Sequence, residues 1–188
     1  SPHCVSATLP LMCGEPHEES MGEGYTVGID LGTTRSAVAY VAGGDPEVIT
    51  TGNSGESVIP SVVQFTEDGE VNVGQTAENI AVQHPDRTVT EVKREMGREE
   101  PLTVAGEEYL PEQISSLILE HIVEAAESSI GREVESAVIT VPAYFDDPKR
   151  TATETAGEIA DLAVERLLPE PSAACLAYGL HESKLGES

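Results

Sequence analysis

A short stretch near the start of the chain combines a carboxylate, a glycine turn and two hydroxyls. Asp30 ends the apolar run within VGIDLGTT, and Gly32, Thr33 and Thr34 follow it. A glycine lets the backbone approach an anion, N–H groups and hydroxyls donate hydrogen bonds to it, and a carboxylate can hold a hydrated Mg²⁺ beside it. The stretch therefore indicates a phosphate site, although an ordinary hairpin turn uses the same residue types.

Three further positions carry residues that could take part in chemistry. Lys93, in VKREMG, is one of only three lysines in an acid-rich chain. Pro142 directly follows the apolar run AVITV and precedes two aromatic residues. Glu170 stands between two prolines, which fix φ on both sides of it. Each has an ordinary alternative: a solvated helix charge for the lysine, a packed strand-to-helix corner for the proline and a helix cap for the glutamate.

In this order, the motifs resemble the nucleotide-binding domain of the seventy-kilodalton heat-shock chaperones of the DnaK type. The matching strings are GIDLGTT, IPSVVQF, VGQTA, VKREMG, AVITVPAYF and EPSAACLAYGL, which cover about Tyr25 to Leu180. GIDLGTT also resembles strings in sugar kinases of the same fold, whereas the last two strings at this spacing are specific. The resemblance implies an α/β actin-like ATPase (ribonuclease H-like) fold, with a mixed sheet flanked by helices, of which the chain carries the first lobe only.

The resemblance also implies an ATP and Mg²⁺ site. Lys93 matches the catalytic lysine that contacts the γ-phosphate and orients the attacking water. Asp30 and Glu170 match catalytic carboxylates that hold Mg²⁺ through water. The turn that wraps the ATP phosphates matches Gly32, Thr33, Thr34 and Arg35. This chemistry is sensible, because phosphoryl transfer to water depends on positioned charge more than on covalent help.

The same resemblance implies a switch and a set of partners. Pro142 and Arg150 match the pair that reports the nucleotide state, and Arg166 matches a residue at the interface with the interdomain linker and the J-domain co-chaperone. The implied function is the ATP-binding lobe of a chaperone that couples ATP hydrolysis to protein folding. Its partners are unfolded client proteins, the J-domain co-chaperone and a nucleotide exchange factor. The alternatives are a non-hydrolytic actin-fold binding module and, least favoured, a sugar-kinase-type fragment.

The sequence departs from the family pattern at several positions. Arg35 stands after the two threonines, where the family usually has other residues, Pro169 replaces an Asn, and Glu154 replaces a lysine. The sequence stops at Ser188, before the second phosphate loop that the family pattern places downstream. We therefore expect the 188 residues alone to lack turnover. We interpret residues 1–21 as a disordered N-terminal extension and residues 22–188 as a truncated first lobe.

Hydrophobic periodicity predicts the elements that position these residues. A meander of strands is predicted first, followed by alternating helices and strands. His121, on a helix face, is predicted to be packed rather than catalytic. The predicted strands are Tyr25–Asp30, Ser36–Val41, Glu47–Thr51, Ser61–Phe65, Glu70–Val73, Leu102–Val104, Glu108–Leu110, Ala137–Val141 (buried on both faces) and Ala163–Leu168. The predicted helices are Thr88–Met96, one from Pro111 to Gly131, one beginning at Asp147 and Ser172–Leu180.

Charge sets limits on the partners. The chain has 34 Asp and Glu against 10 Lys and Arg, a net charge of −24. Such a surface repels nucleic acid phosphates and anionic membranes, so we expect neither as a partner. High net charge is typical of disordered chains, but the apolar periodicity argues against disorder for most of this one. The composition therefore favours a cytoplasmic protein adapted to concentrated salt.

Salt should stabilise the folded chain strongly. Each exposed like-charge pair costs only tenths of a kcal/mol, but many pairs together rival a total stability of about 5–15 kcal/mol. At about 1 M salt the Debye length falls to about 3 Å and removes most of this repulsion. We expect helix content by circular dichroism and the thermal midpoint to rise markedly between about 0.05 M and about 2 M KCl, then to saturate. Equal midpoints at the two salt concentrations would refute salt adaptation.

Overall fold

The computed structural model describes residues 24–50 and 56–173. The predicted N-terminal extension lies outside these ranges, as do Thr51 and all but the first two residues of the predicted last helix. Within the described ranges, no helix is both long and apolar enough to cross a membrane. In chain order, the strands are β1 (Tyr25–Asp30), β2 (Arg35–Ala42), β3 (Asp45–Val48), β4 (Ile59–Pro60), β5 (Val62–Phe65), β6 (Val71–Val73), β7 (Thr88–Thr90), β8 (Leu102–Val104), β9 (Glu107–Tyr109), β10 (Val134–Val141) and β11 (Ala163–Pro169).

The largest sheet is mixed, as predicted, with strand order β11-β10-β1-β2-β3. β10 runs parallel to both β1 and β11, whereas β2 runs antiparallel to β1 and to β3. Strand β4 pairs with the beginning of β2. Because parallel strands need a crossover connection, the chain leaves this sheet after β4 before it returns as β10, and it leaves the sheet again between β10 and β11.

Helices cover one face of the sheet. The long helix begins at Pro111, and the Leu110 N–H just before it donates to Gln113 Oε1 at 2.8 Å. The helix ends at Gly131, which has a φ of 74°. Its buried side chains include Ile114, Ile118 and Ile122, at helical spacing. The α-helices are α1 (Gln75–Ile80), α2 (Pro111–Ile130) and α3 (Asp147–Ile159), and short 3₁₀ helices span Pro85–Arg87 and Val92–Arg94.

Helix α3 lies against β11 at a position that needs glycine. A Cβ added to Gly157 would lie 2.2 Å from Cγ2 of Val164, closer than any real contact.

The apolar core lies between the helices and the sheet, and it includes Val27 and Ile29 of β1 and Ile139 of β10. The core is therefore aliphatic, as a chain with 4% aromatic residues requires.

The second face of the sheet is less buried than predicted. In β10, Ala137, Ile139 and Val141 are buried, but Val138 and Thr140 on the opposite face are half-buried. The prediction that this strand is buried on both faces is therefore wrong. Its continuous apolar run resembles a fully buried strand, and sequence alone does not distinguish a half-covered face.

The predicted meander is also divided between two sheets. Strands β5, β6 and β7 form a separate three-stranded sheet with order β6-β5-β7, and β8 pairs only with β9 as the predicted hairpin. Strand β5 therefore does not continue the main sheet, although β4, just before it, pairs with β2. Helix α1 was not predicted, because six residues with only Ala77 buried give no periodic pattern.

The predicted helix Thr88–Met96 is wrong. Thr88, Val89 and Thr90 form β7 and pair with β5, as suits β-branched residues. Glu91 then takes a left-handed conformation, with φ of 55°, and the 3₁₀ turn that contains Lys93 follows. Tertiary pairing therefore overrides the helical pattern and turns the backbone sharply just before the lysine.

His121 is half-buried in α2, where its Nε2 lies 3.2 Å from the position of a Cβ added to Gly74. Burial lowers the pKa of His121, and the nearby Glu124 opposes this shift only in part. The folded state therefore binds fewer protons than the unfolded state between the lowered pKa and the ordinary value of about 6.5. Stability should fall as pH falls through about 6.5 and stop falling below the folded pKa.

Urea unfolding at pH 7.5 and pH 5.5 checks this expectation, with His121→Gln as the comparison. The parent should lose more stability over this interval than the variant, because only the parent carries the buried imidazole. Carboxylates titrate in both proteins and cancel in the difference. An equal loss in the two proteins would contradict the assignment.

Candidate functional site

The carboxyl ends of three parallel strands meet at one edge of the main sheet. The register places Asp30 of β1 beside Thr140 of β10, and Thr140 beside Leu168 of β11. Residues that directly follow these strands, including Pro142 and Glu170, therefore lie at the same edge. In open α/β sheets, ligands bind outside the carboxyl ends of the strands. Three of the positions implied by the resemblance are thus brought to one edge by backbone pairing alone.

The turn after β1 is held from behind by two serines. The Gly32 N–H donates to the Asp30 carbonyl (3.1 Å) and the Ser36 hydroxyl (3.2 Å), and Ser61 Oγ donates to the Gly32 carbonyl (3.0 Å). The two serine hydroxyls are 2.9 Å apart and buried. A Cβ on Gly32 would lie 1.8 Å from the Arg35 carbonyl oxygen, so only glycine fits this turn.

The remaining donors of the turn are available. The hydroxyls and N–H groups of Thr33 and Thr34 make no hydrogen bond with another residue of the described ranges. Thr33 is half-buried and Thr34 is exposed. Unpaired backbone and hydroxyl donors next to a glycine form the kind of concave donor group that binds anions.

Arg35 points to a protein carboxylate. Its Nη2 lies 3.1 Å and 3.3 Å from the two carboxylate oxygens of Glu78 in α1. Gln75 Nε2 donates to the same carboxylate at 3.1 Å. The resemblance implies that Arg35 belongs to the turn that wraps the phosphates, and in the structure its guanidinium lies on Glu78.

Lys93 is a buried lysine with one ionic partner. Its Nζ donates to Oε1 of Glu170 at 2.7 Å, and it lies 5.8 Å from the centre of the Phe145 ring. The lysine side chain is 7% exposed and the glutamate side chain 44%. A buried ammonium needs a carboxylate partner. The alternative that Lys93 is a solvated helix charge is therefore wrong, and the pair links the 3₁₀ turn to the end of β11.

Pro142 and Arg150 meet at the turn between β10 and α3. The Phe145 N–H donates to the Pro142 carbonyl (3.0 Å), and Arg150 Nε donates to the Phe145 carbonyl (3.1 Å). The two predicted switch residues are therefore connected through one residue, whose ring also lies beside the ammonium of Lys93. Helix α3 begins here with Asp146 as its cap, accepting from the Lys149 N–H at 3.3 Å.

Arg166 lies apart from this group. It is exposed in the middle of β11, opposite Val138, and forms no ion pair with a residue of the described ranges.

Asp30 is exposed at the sheet edge, where Oδ1 accepts a hydrogen bond from the Thr140 hydroxyl at 2.7 Å. Among residues 24–50 and 56–173, no group of three or more His, Cys, Asp or Glu side chains could hold a metal ion by itself.

Several residues that build the site were missed from the sequence. Thr140 fixes the Asp30 carboxylate, Ser36 and Ser61 support the turn, and Glu78 holds Arg35. The alternation along β10 places Thr140 on the less buried face, which gave a usable signal. The serines gave none, because their role depends on a contact between β2 and a residue 25 positions away.

Comparisons of the sequence with known proteins give one consistent family. The family model described as Hsp70 protein matches residues 26–102 and 100–187. The chain is 52% identical over 159 residues to the "Chaperone protein DnaK" of Halobacterium salinarum (strain ATCC 29341 / DSM 671 / R1), covering 84% of the chain and 25% of that relative. It is 50% identical over 157 residues to the protein of the same description in Methanothermobacter thermautotrophicus, covering 82% and 26%. The chain thus spans about a quarter of the length of these curated relatives.

The unequal burial of Lys93 and Glu170 predicts unequal effects of removing either charge. Glu170→Gln leaves a buried ammonium without its ionic partner, and we expect a loss of about 1–2 kcal/mol in the free energy of unfolding. Lys93→Met keeps a similar volume and leaves only a carboxylate that water can reach, so we expect a change within about 0.5 kcal/mol. Urea unfolding of both variants measures the difference, and equal losses would contradict it.

Proposed function

The chain belongs to the Hsp70 protein family, and on this premise we propose that the edge beside Asp30 and the Gly32 turn bind the phosphates of ATP for hydrolysis. The mixed sheet and its helices have the actin-like ATPase fold of the nucleotide-binding domain of that family. Family membership groups the chain with chaperones, so the sugar-kinase alternative is set aside.

The observation that carries this proposal is the bond between Lys93 and Glu170. In a chain of net charge −24 with three lysines, one lysine is buried at the carboxyl edge of the parallel strands and paired at 2.7 Å with a half-exposed carboxylate. Positioned positive charge is what phosphoryl transfer to water requires. A preorganised ammonium in a site that excludes water stabilises developing negative charge more strongly than a solvated one.

The residues of the turn supply the ground-state contacts. The free donors of Thr33 and Thr34 bind phosphate oxygens. Gly32, which has no Cβ, leaves room for the Arg35 carbonyl, so the turn closes tightly behind these donors. Ser36 and Ser61 keep the turn in place from behind. This division assigns binding to the turn and stabilisation of the transition state to the lysine.

The carboxylates fit a hydrated magnesium ion. Asp30 is exposed, with one oxygen oriented by Thr140, and Glu170 has one oxygen on Lys93. No cluster of the described residues could hold an ion alone, and Mg²⁺ usually keeps several waters and binds one or two carboxylates together with substrate phosphates. When bound, Mg²⁺ would neutralise charge on the phosphates. Asp30 and Glu170 would hold it through water.

A wider function is proposed for the whole protein. We propose that residues 22–188 form the first lobe of a cytoplasmic chaperone that couples ATP hydrolysis to protein folding, with unfolded clients, a J-domain co-chaperone and a nucleotide exchange factor as its partners. Pro142 and Arg150, joined through the Phe145 backbone, are positioned to transmit a change at the lysine to α3. Arg166, exposed on β11, would contact the linker and the co-chaperone.

Lys93→Ala in the full-length protein tests this function. Removing one donor that acts on transition-state charge typically lowers the rate about 100- to 1000-fold. We expect single-turnover hydrolysis of Mg·ATP to fall in this range, while the dissociation constant for ATP changes less than about tenfold. Hydrolysis within about threefold of the parent would refute the role of Lys93.

Lys149→Ala is the matched control. Its ammonium lies 5.5 Å from the centre of the same Phe145 ring, but Lys149 lies in the first turn of α3 and has no proposed contact with phosphate. Hydrolysis by this variant should stay close to that of the parent. If the parent itself bound ATP without hydrolysing it, the non-hydrolytic binding module would be favoured instead.

A further inference from the structure

The ion pair between Arg35 and Glu78 joins the phosphate turn to α1. Arg35 directly follows Thr34 in sequence and begins β2, while Glu78 lies 43 residues further along, in a helix that packs against β5 and β6. Both side chains are partly exposed, at 43% and 36%. Pairs of this exposure contribute little to stability, so the fold does not depend on this contact.

The backbone of Arg35 is fixed, and only its side chain can change partner. Its carbonyl oxygen closes the Gly32 turn so tightly that a Cβ on Gly32 would lie 1.8 Å from it. Its Cα pairs with Pro60 of β4. The guanidinium is therefore attached to a rigid point one residue beyond the free donors of Thr34, within the reach of an anion bound at the turn.

Glu78 would remain satisfied if the arginine left it. Gln75 Nε2 donates to Glu78 Oε2 at 3.1 Å, and water reaches the exposed carboxylate. Guanidinium groups bind phosphates as well as carboxylates in two-point geometry, and a nucleotide triphosphate carries more charge than a single carboxylate. The arginine thus has two suitable partners, one of which is present only when nucleotide is bound.

We propose that Glu78 competes with the nucleotide phosphates for Arg35, so that the arginine leaves Glu78 and binds the phosphates when nucleotide is bound. This inference rests on the proposed function, because it requires phosphates at the Gly32 turn. It differs from a simple tether between α1 and the turn in the sign of its effect. Loss of a competitor tightens nucleotide binding, whereas loss of a tether weakens it.

The test is calorimetric titration of the full-length protein with Mg·ATP. Glu78→Gln should tighten binding about two- to fivefold, as expected for one exposed ion pair, and Arg35→Gln should weaken it. In the Arg35→Gln background, Glu78→Gln should have no further effect, which separates competition from plain charge repulsion. Adenosine, which has no phosphates, should bind the parent and Glu78→Gln equally.

Glu67→Gln is the matched control. Glu67 forms a comparable pair with Arg87 at 3.5 Å and loses the same charge, away from the Gly32 turn, so its affinity for Mg·ATP should equal that of the parent.

The outcomes are distinct. Weaker or unchanged binding by Glu78→Gln, or equal tightening in the presence and absence of Arg35, overturns the competition between Glu78 and phosphate. These results leave the proposed ATPase function intact, because the parent still binds Mg·ATP. A parent that does not bind Mg·ATP contradicts the proposed function itself, and the competition with it.

Discussion

The parallel pairing of β1, β10 and β11 is the constraint on which the candidate site depends. Because backbone hydrogen bonds set the register, the ends of these strands must lie at the same edge, whatever side chains follow them. Asp30, Pro142 and Glu170 come from distant parts of the sequence, yet each occurs within one residue of a strand end. Helices α2 and α3 bury one face of the sheet. This burial keeps the register from slipping, since a shift of one residue would move the buried side chains of a strand to its other face.

Lys93 enters this arrangement from outside the main sheet. The 3₁₀ turn that contains it follows β7 of the three-stranded sheet, and Glu91 in a left-handed conformation begins that turn. The bond from Lys93 to Glu170 therefore connects this segment to the end of β11 at the site itself.

The sequence predicted the elements and contacts that local patterns determine. It missed those that depend on pairing between distant segments. The mixed sheet and the bounds of α2 followed from periodicity, with Pro111 and Gly131 marking the ends. The predicted helix from Thr88 was wrong because pairing with β5 stabilises a strand there. The motifs predicted Asp30, Lys93 and Glu170 as site residues, but the bond between the lysine and the glutamate depends on a contact across 77 residues that no spacing reveals.

Arg35 illustrates how a side chain next to a conformationally strict turn can carry an extra charge without disturbing the fold. Gly32 admits no side chain and the serines fix its backbone, whereas the side chain of Arg35 extends to Glu78. An arginine at that point would add a cation beside bound phosphates, and in an otherwise acidic chain an unpartnered cation attracts any nearby carboxylate. Glu78 provides that carboxylate within the same chain. In the competition proposed above, this pairing occupies the arginine while no nucleotide is bound, and it limits how strongly the extra charge would hold a nucleotide that must later leave.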